Sequence, residues 1–189
     1  MPTLRTIWFQ ARIVALLLLQ AGYFTVQAHA QPTREYRLKA IFLFNFTQFV
    51  DWPSGIFETD KSPFVIGVLG DNPFGSYLDE AVSGETINGH PLVIHYFRNQ
   101  QDVKTCHILY VNLPETKQRK EAMEGLKGKD ILTVSDASDF MAQGGMIRLL
   151  TLENKIKLQV NLEACRASKL VLSSKLLRLA EIFDAKGKI

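Results

Sequence analysis

Cysteine, long runs of like charge, and the spacings that mark metal or nucleotide chemistry are all scarce in this chain. Two cysteines, Cys106 and Cys165, occur in 189 residues. That is too few for a disulfide framework or a four-thiolate zinc site. The histidines number four, and His90 and His95 stand five apart on an expected strand, so they point to opposite faces. His107 and its neighbour Cys106 diverge in the same way. No His/Cys/Asp group stands at ligand spacing, and the sequence predicts no metal. No G-x-S-x-G elbow is present to present a nucleophilic serine. Gly67, Gly70 and Gly75 are not spaced as a dinucleotide fingerprint, and no Walker lysine follows them. Basic and acidic residues number 22 and 19, for a net charge of +3, with no block of one sign. Nucleic-acid binding demands a basic face that neutralises phosphates, and none is written here. A polybasic membrane patch is missing too. The expectation is a binding or regulatory module with no catalytic residue and no cofactor, not an enzyme.

What the chain does have begins at its start. Arg5 and Arg12 form a positive lead without an acidic residue, Ile13 to Leu19 is a short apolar run, and Ala28-His29-Ala30 is a small-x-small cleavage pattern. Arg12 and Gln20 bracket the apolar run and leave it short of the roughly 20 residues that cross a bilayer. Residues 1–30 therefore read as a signal peptide, and 31–189 as one exported domain large enough to bury a core. Losing Arg5 and Arg12 brings the charge near balance. In an oxidising compartment Cys106 and Cys165 are either a disulfide pair or two separate buried thiols.

Along the domain, Glu35 to Val50 reads as a helix apolar nearly all round, closed by Asp51-Trp52-Pro53. Strands are expected at Phe64–Leu69, Leu92–Phe97, Ile108–Leu113 and Ile131–Val134. Helices are expected at Phe74–Val82 and Glu115–Leu126, with a short helical piece at Phe140–Gln143. A hairpin follows, Met146–Leu152 and Ile156–Leu162 around Glu153-Asn154-Lys155. Its second strand alternates, with Lys157, Gln159 and Asn161 outward. A short helix at Glu163–Ser168, an apolar stretch Leu170–Leu172 and a helix from Ser174 carrying Leu176, Leu177, Ala180 and Phe183 on one side end the chain. This βαβα order with a late hairpin predicts an α/β, Rossmann-like sandwich. Its mixed sheet has a parallel core plus a C-terminal β-hairpin, with helices on the sheet faces.

Two surfaces are candidates for function. Asp71, Asn112 and Asp136 each follow a strand at the carboxyl edge of the sheet, where open α/β sheets bind ligands; they could line a pocket, or simply turn the chain. Leu170, Leu172, Leu176 and Phe183, rimmed by Lys169, Lys175 and Arg178, could form an apolar docking surface, or close the core. Phe42 and Phe46 offer a second apolar surface.

Four segments carry a resemblance. Tyr36-Arg37-Leu38-Lys39-Ala40-Ile41-Phe42-Leu43-Phe44-Asn45-Phe46 followed by Phe49-Val50-Asp51-Trp52-Pro53, then Phe64 to Phe74, then Cys106 to Val111, and finally Asn161-Leu162 with Leu170 to Ala180, resemble the YfiR/HmsC-like family in family order. The resemblance implies a periplasmic regulator without known catalysis. It would bind the periplasmic sensor domain of an inner-membrane diguanylate cyclase and hold down cyclic di-GMP and biofilm output. The resemblance further implies release of this brake by an OmpA-like outer-membrane lipoprotein, and a homodimer. The resemblance also implies that family members often pair the cysteine at the Cys106 position with one on the first strand; that strand here carries Gly67 and no cysteine. A periplasmic small-molecule sensor using the strand-edge pocket is the alternative.

Overall fold

The computed structural model describes residues 34–184. The expected signal peptide lies outside the described residues. Helix α1 (Arg34–Phe49) runs into the two-residue strand β1 (Val50–Asp51). Strand β2 (Phe64–Gly70) follows, with helix α2 (Tyr77–Val82), then β3 (Thr86–Ile87), β4 (His90–Phe97), β5 (Ile108–Asn112), helix α3 (Thr116–Leu126) and β6 (Leu132–Ser135). The chain ends with β7 (Ile147–Leu152), β8 (Lys155–Val160), α4 (Leu162–Ala167), β9 (Val171–Leu172), α5 (Ser174–Leu177) and β10 (Ala180–Ile182).

Eight strands make one mixed sheet in the order β10-β8-β7-β6-β5-β2-β4-β3. β4, β2, β5, β6 and β7 run parallel, β8 returns antiparallel to β7, and β10 lies parallel to β8. The central strands β2, β5 and β6 are buried on both faces, which is why they read as unbroken apolar runs. Side chains alternate across the sheet. Ile66, Val68, Ile108 and Tyr110 pack under α1 and α2, whereas Val65, Leu69, Leu109 and Val111 pack under α3. Helices thus cover both faces, as expected for an α/β sandwich.

Local chemistry explains the element ends. Asn72 Oδ1 accepts from the Phe74 amide and its Nδ2 donates to the Gly75 carbonyl, so the stretch before α2 is a turn; the helix starts at Tyr77, later than expected. Glu153 and Asn154 both have positive φ, 49° and 60°, the conformation a two-residue hairpin of matching twist requires. Phe140–Gln143 forms turns rather than a helix. Asn161 is buried, not outward, because it caps α4: its Oδ1 accepts from the Ala164 amide at 3.0 Å.

The C-terminus differs most from expectation. The helix from Ser174 makes a single turn, capped by the Ser173 hydroxyl on the Leu176 amide, and the chain then extends as β10. β-pairing to β8 outweighs the weak helical pattern, which is too short to be stable alone. Phe183 leaves the helix face it was expected to share and packs on the α3 side of the sheet. Cys106 and Cys165 are both buried and both free. They sit on opposite faces of the sheet, Cys106 in the α3-side core and Cys165 in the α1-side core, so the expected alternative of a bridge between them is excluded.

Candidate functional site

The carboxyl edge of the sheet holds a buried ionic cluster. Helix α1 presents Glu35, Tyr36 and Lys39 toward the sheet, because they share the stripe that continues through Ala40, Leu43, Phe46 and Thr47. Lys39 is only 1% exposed, an unusual place for a lysine unless it is paired. Its Nζ donates to Asp136 Oδ2 and to Glu35 Oε1, both at 2.5 Å. Asp136 follows β6 directly. Tyr36 donates its hydroxyl to the same Asp136 oxygen at 3.1 Å, and Thr151 on β7 donates to Glu35 Oε1 at 2.6 Å. The Lys39 ammonium lies 4.6 Å from the Tyr36 ring centre, a cation–π contact.

The electrostatics follow. Burial pushes the Asp136 carboxyl up, but the hydrogen bond and charge of Lys39 outweigh it and hold the group below its ordinary value. Glu35 is held low by the hydrogen bonds from Lys39 and Thr151. Burial, then the Asp136 charge, pushes Tyr36 up to about 12 and drives Tyr110 further in the same direction. Tyr110 lies deep on β5 with its hydroxyl near the Asp136 carboxylate and the Tyr36 hydroxyl, yet it closes no hydrogen bond at normal distance. Both tyrosines therefore stay protonated and both carboxylates ionised. The cation's charge is met within the cluster, and its geometry clamps α1 to the strand ends of β6 and β7.

Asp71, Asn112 and Asp136 do not converge. Asn112 Nδ2 donates to the Asp71 carbonyl, which closes the edge between β2 and β5, while Asp136 turns to Lys39. Gly70 completes that edge: at φ +94° its backbone passes so close to Asn112 that a Cβ would stand 2.2 Å from the carbonyl oxygen. Clefts of about 420 and 630 Å³ open elsewhere, and none of the three residues lines either. The Asp136 carboxylate of the expected pocket is engaged by the clamp. Sequence reasoning missed Glu35, Tyr36, Lys39 and Tyr110 as a group. The available signal was a lysine on the apolar stripe of α1, four residues before Leu43.

The expected docking surface also changes. Leu170, Leu172 and Leu176 are buried and join the α1-side core, because β9 pairs with β1 and draws them under α1. Phe46 is core as well, with Phe42 half-buried beside it at 6.3 Å between ring centres. Lys175 and Arg178 stay exposed.

Residues 36–181 match the model of the YfiR/HmsC-like family, from Tyr36 of the clamp through β10. The chain belongs to the YfiR/HmsC-like family. The match opens at the helix whose Tyr36 and Lys39 the clamp uses, so the family's first segment contains the residues that fix α1. A search of curated proteins finds no relative of this chain. At the opposite edge of the sheet His107 is buried against Trp52, Phe57 and Phe64, and its Nδ1 accepts from the Val65 amide at 3.0 Å. Burial, with the neighbouring His90, lowers His107 to about 4, so the ring is neutral. Among the described residues no group of three His, Cys, Asp or Glu could hold a metal ion, and no helix is long and apolar enough to cross a membrane.

Proposed function

We propose that this protein is a periplasmic regulatory binding protein. In this reading it represses an inner-membrane diguanylate cyclase by binding the sensor domain the cyclase exposes to the periplasm, and so lowers cyclic di-GMP and biofilm output. The observation that carries the reading is the YfiR/HmsC-like match over residues 36–181. The character of the carboxyl edge supports it. At that edge the charged groups Glu35, Lys39 and Asp136 hold a helix in place. The protein acts by contact and performs no reaction. An outer-membrane lipoprotein of the OmpA type would draw it away, and the active species would be a homodimer.

The test is cellular cyclic di-GMP in a clean deletion strain, with and without the exported protein from a plasmid. A rise on deletion, reversed by the exported chain and not by a chain lacking residues 1–30, is expected. An unchanged level on deletion would overturn the reading.

A further inference from the structure

Among the described residues the sheet ends on β10. Phe183 donates its amide to the Val160 carbonyl of β8. Backbone groups alternate sides along a strand, so the N–H and C=O of Ile182 and Ala180 face away from β8. Among the described residues no strand pairs with that side. Native proteins blunt such edges, because an unpaired row of donors and acceptors recruits another strand. Here the edge carries apolar side chains instead: Leu179 is 71% exposed and Ile182 51%. Exposed cations outnumber acids around it: Lys175 and Arg178 lead into β10 and Lys157 lies on the adjoining β8, against Glu181 on β10 and Asp184 just after it. The opposite end of the sheet differs in sign. β4 is hairpinned by β3, and Asp79, Glu80 and Glu85 lie on α2 and the turn that follows it.

We propose that β10 is a docking edge that accepts an extended, acidic segment of a partner protein as a ninth strand. Main-chain bonds to Ala180 and Ile182 would supply affinity, and Leu179 and Ile182 would take the partner's apolar side chains. Lys157, Lys175 and Arg178 would select for acidic ones. This inference rests on the regulatory reading and names the surface that reading leaves unassigned.

The edge geometry supplies a clean variant. The Ile182 amide is not used by the β8 ladder, so Ile182→Pro removes an outward donor and leaves the inward bonds intact. A second variant, Lys175→Glu with Arg178→Glu, changes exposed residues only. Both are exported in the deletion strain beside the unaltered protein. The expected result is that the unaltered protein lowers cyclic di-GMP and both variants fail to, while export level and melting temperature of the charge variant stay unchanged. Variants that repress as well as the unaltered protein would overturn the proposal. If the unaltered protein itself does not lower cyclic di-GMP, the cyclase reading fails, and a second measurement decides the edge independently. The purified chain is titrated with the peptide Asp-Val-Glu-Val-Asp-Ile, with Lys-Val-Lys-Val-Lys-Ile, and with vesicles of anionic phospholipid, reading the amide signals of Ala180 and Ile182 by NMR. Shifts with the acidic peptide alone, lost at Ala180 in Ile182→Pro, support the proposal. Shifts with vesicles alone, or with neither peptide, overturn it.

Discussion

Lys39 is the residue on which the carboxyl edge depends. Removing one partner of a buried ion pair leaves the other charge stranded, which costs about 3–5 kcal/mol. Lys39→Met should therefore destabilise the protein by that order, seen as a lower urea midpoint with unchanged slope. Asp136→Asn should cost less, because the Lys39 ammonium keeps Glu35. The clamp carboxyls are held low in the fold, so their contribution is present above the ordinary carboxylate range and is lost as pH falls through their folded values. His107 acts in an adjoining window. The unfolded chain takes up its proton near 6.5, whereas the folded ring resists until about 4. Stability should thus be full above 6.5 and fall by roughly 1.4 kcal/mol per unit between those values. His107→Asn, whose side-chain oxygen can still accept from the Val65 amide, should flatten that part of the curve in pH-dependent urea melts.

At the scale of elements, the strands were legible and the chain end was not. β2, β5 and β6 are apolar runs of strand length, and the β7–β8 hairpin alternates, so period and length named them. The segment from Ser174 has leucines at helical spacing, yet its fate depends on β8, a partner that local pattern does not display. The same is true of the clamp. Lys39 and Asp136 are far apart in sequence, and nothing near either announces the other. Leu170, Leu172 and Leu176 looked alike whether they faced solvent or core; pairing of β9 with β1 decided it. Two element-level outcomes follow. Arg119 fixes the start of α3 through Asp139, Thr116 and the carbonyls of Leu113 and Pro114. Arg119→Lys loses the forked geometry and should lower stability by about 2 kcal/mol in denaturant melts. A Cβ at Gly67 would stand 2.8 Å from the Cys106 sulfur, with Leu109 and Phe97 as near. Gly67→Cys should therefore oxidise onto Cys106, detected as loss of titratable thiol, once those side chains shift.

For the molecule as a whole, the fold separates what is closed from what is open. Both faces of the sheet are covered by helices and the carboxyl edge is tied by ions, whereas among the described residues β10 pairs on one side only. The helix that begins the described chain is fastened to groups from the sheet's middle and late strands. β1, at residues 50–51, pairs with residues 171–172. Such pairings reward the chain only after long loops have closed, which slows folding. A ribosome that has released the first two-thirds of this polypeptide has made neither Leu172 nor Thr151's neighbours on β8, so the nascent chain has nothing to close upon. The β1–β9 pairing is thus a clock as well as a contact. It postpones the native state until synthesis is nearly over, because the last short strands made are the ones that let the first helix set.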